Sequence, residues 1–131
     1  MATKSLVTFA ANRPKTFKKT VSVPVPGAES FDIEFEFKNL TKREEAAVRD
    51  AAVAASEGKK PAAPDVFSFV KHAEDTLKND ATYFMGLIAG WSLDVPFSRD
   101  ALDQLLDEYR GAAEVIGEAF NAGIKGGAAG N

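Results

Sequence analysis

The sequence predicts an α+β fold in which an N-terminal antiparallel β-hairpin packs against a bundle of about four or five α-helices. Three observations support this prediction. Apolar and charged residues alternate from Phe31 to Lys38, which is typical of a half-buried antiparallel strand. A Pro26–Gly27 turn separates that segment from a looser alternation over 17–25, so the two strands form a hairpin. From Thr41 onward, apolar residues recur mainly at helical spacing.

The predicted hairpin has one apolar face that needs to be covered. Its second strand places four large apolar side chains on that face: Phe31, Ile33, Phe35 and Phe37. Because an isolated hairpin is marginal in water, we expect this face to meet the apolar stripe of a later helix or a neighbouring subunit. Pro24 has no N–H to donate, so the first strand should lie at an edge.

Two helices are predicted after the hairpin. Thr41 and Glu44 have the spacing of a capping box, which predicts a helix from there to about Glu57. A lysine- and proline-rich linker follows over 59–64, and Asp65 is the predicted N-cap of the second helix. The second helix has one apolar face, formed by Val66, Phe69, Val70, Ala73 and Leu77.

The segment before the single tryptophan has two interpretations. After a predicted break at Asn79–Asp80, helical spacing relates Phe84, Leu87, Ile88 and Trp91. Gly86 and Gly90 disfavour a helix there, so a buried strand is the alternative. The glycines would also allow another helix to approach closely.

Two further helices are predicted near the C-terminus. Ser98 is the N-cap of the first, and its apolar stripe is Leu102, Leu105, Leu106 and Tyr109. The last helix runs from about Ala112 to Gly123. We therefore expect one α+β domain over 14–125, between a flexible arm over 1–13 and a flexible tail over 126–131.

Composition argues against catalysis and against a metal or cofactor site. The chain has 131 residues, no cysteine and one histidine, His72, so thiolate chemistry and histidine clusters are excluded. The sequence contains no nucleophile elbow and no phosphate-binding glycine loop. Asp100, Asp103 and Asp107 share one helix face, which we interpret as a solvated surface. The prediction is a protein that is not an enzyme and has no cofactor.

The charge is unevenly distributed along the chain. The whole chain carries −3 and its first 28 residues carry +5, so the remainder carries −8. A basic arm leaves a nucleic-acid-binding regulator as an alternative, but no aromatic residues are interleaved in a nucleic-acid pattern. No apolar run approaches the length of a membrane span. We expect a cytosolic protein that binds neither nucleic acid nor membrane.

Protein binding is the remaining class of function. Rigid aromatic side chains are frequent anchors of interfaces, although core packing is the alternative for each of them. The candidate protein-binding residues are Phe31, Phe35, Trp91, Phe97, Tyr109 and Phe120.

Several short motifs resemble, in order, those of phage tail assembly chaperones. In the N-terminal half they are Pro14–Phe17, Val21–Gly27, Phe35–Lys38 and Thr41–Glu44. In the C-terminal half they are Gly90–Leu93, Pro96–Ser98, Leu105–Tyr109, Gly111–Ala113 and Gly130–Asn131. The chain departs from the family pattern in a longer segment over 58–78 and in a last helix that lacks an expected tyrosine.

The resemblance implies a function in the host bacterial cytoplasm. Members of this family, of the siphophage type, bind the tape measure protein, keep it soluble and help to recruit tail tube subunits around it. They leave before the tail is complete and are absent from the mature virion. The resemblance thus implies the tape measure and tail tube proteins as partners, and the apolar hairpin face makes a homo-oligomer plausible. The alternative is a structural tail tube or tail completion protein of the virion.

Overall fold

Three strands and four helices make up the part of the chain that the computed structural model describes, namely Phe9 and residues 12–57 and 67–126. In chain order they are β1 Thr16–Val25, β2 Ala28–Lys38, α1 Lys42–Glu57, α2 Phe69–Met85, β3 Ile88–Trp91, α3 Arg99–Glu108 and α4 Ala112–Ile124. The predicted α+β class and N-terminal hairpin are confirmed. Most of the predicted arm and tail, and all of the 59–64 linker, lie outside the described residues.

The sheet is antiparallel with the strand order β1-β2-β3. The hairpin register pairs Val23 with Phe31, and its turn places Gly27 at a φ of 79°, a conformation that glycine adopts without steric cost. Pro24 lies on the edge strand, as predicted, at an irregularity of the pairing between Val23 and Val25.

The apolar face of the hairpin forms the core with the C-terminal helices. Phe37 packs against Phe120 of α4, with ring centroids 5.5 Å apart, and both rings also contact Phe17 of β1. At the other end of the face, Phe31 meets Tyr109 with centroids 5.2 Å apart. The expected contact with the leucine and tyrosine stripe is therefore confirmed, and α4 supplies cover that the sequence did not indicate.

Helix α1 is capped as predicted and is attached to α2. The Glu44 N–H donates to Thr41 Oγ1 at 3.1 Å, and the Thr41 N–H donates to Glu44 Oε1 at 2.8 Å, so both halves of the capping box form. The close approach predicted for the glycines occurs at Gly86, where an added Cβ would lie 2.5 Å from Val48 of α1.

Two local predictions about α2 are wrong. The helix continues through Asn79–Asp80, because the core contacts of Ala81 and Phe84 outweigh the weak helix propensity of those two residues. Its N-cap is Ser68, whose Oγ accepts from the Lys71 N–H at 3.2 Å, rather than Asp65, which lies outside the described residues.

The helix favoured for residues 84–91 is also a wrong prediction. The alternative, a strand, forms as β3 over Ile88–Trp91. The chain turns at Gly86, and β3 pairs with β2 by placing Gly90 opposite Glu36 and Trp91 opposite Phe35. The open edge of β2 decides this outcome, because it offers hydrogen-bond partners that a short apolar segment does not have by itself.

Two glycines of α4 should respond in opposite directions to substitution by alanine. A Cβ at Gly123 would overlap the Phe17 ring, whereas a Cβ at Gly117 would meet nothing within 4 Å. We expect G123A to lower the free energy of unfolding by about 1–3 kcal/mol through overpacking. We expect G117A to raise it by roughly 0.5–1 kcal/mol through helix propensity. Urea unfolding followed by circular dichroism measures both, and a stabilised G123A would contradict the close packing of α4 on β1.

Candidate protein-binding groove

An open apolar groove lies between α3 and the segment that follows β3. Its volume is about 450 Å³. Nine residues line it: Phe31, Trp91, Leu93, Val95, Ala101, Gln104, Leu105, Glu108 and Tyr109. Seven of the nine are apolar or aromatic, so the groove presents mainly apolar surface to solvent.

One wall of the groove is a single face of α3. Ala101, Gln104, Leu105 and Glu108 have the i, i+3, i+4, i+7 spacing that aligns side chains on a helix. Ser98 fixes where this helix begins, since its Oγ accepts from the Ala101 N–H at 3.1 Å. The wall is therefore set by local sequence signals.

The opposite wall is the segment over 91–95, whose first and last residues are joined by a hydrogen bond. The Trp91 indole N–H donates to the Val95 carbonyl at 2.7 Å. At its start, Ser92 is tied to β2 by two hydrogen bonds: its N–H donates to the Glu34 carbonyl and its Oγ accepts from the Glu34 N–H. This wall is thus anchored to the sheet.

Contacts between aromatic rings hold the groove's aromatic residues in place. The Trp91 ring packs edge to face on Phe97, with centroids 5.0 Å apart, and on Phe35, with centroids 6.2 Å apart. Phe31 and Tyr109 form the edge-to-face pair at the other end. Pairs of this geometry have fixed relative orientations, so the groove is already formed without an occupant.

The structure brings together four of the six candidate residues. Phe31, Trp91 and Tyr109 line the groove and Phe97 supports Trp91; all four are half-buried. Phe35 and Phe120 are 0% and 1% exposed, so they belong to the core, and Phe35 reaches the groove only through Trp91. A binding role for these residues stays a prediction.

Sequence reasoning missed the remaining groove residues. Val95 is 51% exposed, but an isolated valine before a proline carries no signal of a site. Gln104 and Glu108 lie next to the buried stripe of α3. The helical spacing in the sequence places them on the solvated face of that helix. Only the position of the 91–95 segment opposite α3 makes them part of a groove.

A second apolar surface lies at the start of α2. Phe67, Phe69 and Val70 are exposed, Phe69 by 81%, and the two phenylalanine rings pack edge to face at 4.8 Å. The apolar face predicted for this helix therefore reaches the core only from Leu77 onward.

A second cleft, of about 460 Å³, lies between α1, α2 and α4. Burial raises the pKa of the Asp80 carboxyl above its usual value of 3.8. Burial and a hydrogen bond to Glu45 raise the pKa of Tyr83 to about 12. The Tyr83 hydroxyl donates to Glu45 Oε2 at 3.0 Å, and Arg49 pairs with the same oxygen at 3.0 Å. These contacts connect α1 to α2.

Within residues 12–57 and 67–126, no group of three or more acidic or histidine side chains is placed to hold a metal ion. No helix in the same ranges is long and apolar enough to span a membrane.

Fold and groove together define a small α+β protein with a pre-formed, open aromatic groove. The family model described as "Phage tail assembly chaperone" matches residues 1–131, the entire chain. The chain therefore belongs to the phage tail assembly chaperone family, and its partners are proteins of the phage tail. No curated protein and no solved structure matches it.

Asp80 gives the fold a testable pH dependence. Because its pKa is higher in the folded state, its contribution to stability is full below the unfolded pKa and is lost as pH rises through the folded pKa. We expect D80N to unfold at a higher temperature than the wild type near pH 7, with the difference shrinking below about pH 4. The matched control D32N changes an exposed strand carboxylate. Thermal unfolding at both pH values measures the effect, and a pH-independent difference would contradict it.

Proposed function

We propose that this protein binds the tape measure protein during tail assembly in the host cytoplasm, keeps it soluble and helps to recruit tail tube subunits around it. It acts by binding, without catalysis, and leaves before the virion is complete. The single observation that carries the proposal is the aromatic groove, in a chain that belongs to a tail assembly chaperone family.

The groove has the properties that a binding site for apolar segments needs. Its exposed apolar surface loses contact with water when a client covers it, and its rigid rings lose little conformational entropy on binding. Phe31, Trp91 and Tyr109 are the proposed anchors, since aromatic side chains supply much of the binding energy at many interfaces.

The negative charge of the chain supports the proposal that the protein keeps its client soluble. From residue 29 onward the chain carries −8, and charge of one sign keeps a complex with an apolar client from aggregating. A chaperone of this kind needs no nucleotide site, because covering the client by mass action is sufficient.

Self-association is a further proposal about the same protein. The exposed Phe67, Phe69 and Val70 at the start of α2 are available to a second copy. Sedimentation of the wild type and of F69S at several concentrations tests it; a concentration-independent monomer for both would contradict it.

Val95 and Val53 give a matched pair of variants for the client interaction. The two valines are 51% and 50% exposed, but only Val95 lines the aromatic groove. We expect V95D to reduce the soluble yield of co-expressed tape measure protein several-fold, because it buries a charge against the client. We expect V53D to behave as the wild type.

The measurement is the fraction of tape measure protein that stays soluble and co-purifies with each variant. A tape measure protein that is equally soluble without this chain would contradict the proposal.

Mass spectrometry of purified virions distinguishes the chaperone from the alternative, a structural tail tube or tail completion protein. A chaperone that leaves is expected to be missing from finished particles. Stoichiometric amounts of this chain in them would favour the structural alternative.

A further inference from the structure

The aromatic groove lies in an acidic stretch of the described chain. Between Trp91 and Tyr109 there are five acidic residues and one basic residue, Arg99. All five acids are exposed: Asp94, Asp100, Asp103, Asp107 and Glu108. None of them forms an ion pair within residues 12–57 and 67–126. The Arg99 guanidinium is occupied elsewhere, donating to the Lys78 carbonyl at 3.1 Å and to Thr82 Oγ1 at 2.8 Å.

Carboxylates lie on both walls of the groove. Glu108 is itself a lining residue of α3, and Asp94 lies on the facing segment between the lining residues Leu93 and Val95. An occupant of the apolar floor therefore lies against the Glu108 carboxylate on one wall, and Asp94 is the neighbour of two lining residues on the other. Complementary positive charge on the occupant speeds association and excludes acidic competitors.

The α3 wall offers an occupant few free backbone hydrogen-bonding groups, because most of them are paired within the helix. The Trp91 indole N–H is bound to the Val95 carbonyl, and the Tyr109 N–H is bound to the Leu105 carbonyl at 3.0 Å. The rest of the α3 wall is helical backbone. An extended peptide lying along α3 would find no backbone partners on that wall for its own N–H and C=O groups. A helix brings those groups already paired.

We propose that this groove binds an amphipathic α-helix of another protein, whose apolar face is flanked by lysine or arginine. The inference rests on the proposed function, since a segment of the tape measure protein would supply the helix. The α3 wall from Ala101 to Glu108 is about 10 Å long at 1.5 Å per residue, which matches two turns of a partner helix. Apolar residues at i, i+3, i+4 and i+7 contact the floor, and the flanking cations reach Asp94 and Glu108.

Three synthetic peptides of about 20 residues, long enough to form helix, test the chemistry of the occupant. All carry leucine at i, i+3, i+4 and i+7. The first has lysine flanks, the second has glutamate flanks, and the third has lysine flanks with two central prolines that prevent a helix. Trp91 is the only tryptophan of the chain and lines the groove, so its fluorescence reports occupancy directly when the peptides lack tryptophan.

The lysine-flanked helix is expected to bind at least about tenfold more tightly than either of the other peptides. Its affinity should fall between about 0.05 and 0.5 M NaCl, because exposed charges are screened over this range. Equal binding of the lysine and glutamate peptides overturns the charge requirement. Equal binding of the proline peptide overturns the helix requirement.

A pair of double variants locates the charge effect. D94N/E108Q removes the lining carboxylate of α3 and the carboxylate between the lining residues Leu93 and Val95, whereas the control D32N/E118Q removes two exposed carboxylates elsewhere. All four side chains are exposed, so both proteins should fold. We expect D94N/E108Q to bind the lysine peptide about three- to tenfold more weakly, with a shallower salt dependence, and the control to bind as the wild type. An equal loss in both variants would mean that net charge, not the groove, attracts the peptide, and would overturn the inference.

The outcome with the tape measure protein separates this inference from the proposed function. If the tape measure protein is kept soluble but the peptides bind without preference, the inference fails and the chaperone role stands. If the lysine helix is preferred but the tape measure protein is equally soluble without the chain, the groove chemistry stands and the proposed function fails.

Discussion

Burial of the phenylalanine face of β2 is the interaction on which the rest of the structure depends. Each ring of this face positions another element: Phe37 holds α4 through Phe120, Phe35 holds β3 through Trp91, and Phe31 meets Tyr109 at the end of α3. Each fully buried ring contributes roughly 1.5–3 kcal/mol. A three-stranded sheet without this cover would be marginally stable, so the hairpin and the C-terminal helices depend on each other.

The same face is core at one end and groove at the other. Near Phe37 the face is covered by α4. Near Phe31 it borders the open groove between α3 and the 91–95 segment. An apolar surface left open in this way costs stability in the free protein and becomes useful when a partner covers it. The core thus holds the groove rigid, and the acidic residues around it keep the exposed surface compatible with solubility. This arrangement suits a chaperone, which needs an available apolar surface without aggregating itself.

Tertiary contacts, rather than local sequence, decided the middle of the chain and the composition of the groove. The 84–91 segment became a strand because β2 offers an unpaired edge, and α2 continues through Asn79–Asp80 because its later turns are buried. Neither competition is visible in a window of neighbouring residues. Val95 and Glu108 line the same groove only because β3 returns the chain beside the hairpin, so no spacing rule could have identified them.

The amino-acid sequence by itself determined the elements whose signals are local. The alternation ending at Lys38 specified the strand β2, the Thr41 capping box and the Ser98 cap specified where two helices begin, and Gly27 specified the hairpin turn. These features depend on hydrogen bonds and periodicities within a few residues. The order of the family motifs also identified the class of protein correctly. The tertiary structure alone decided which aromatic side chains are core and which border solvent, because burial depends on contacts between residues far apart in the chain.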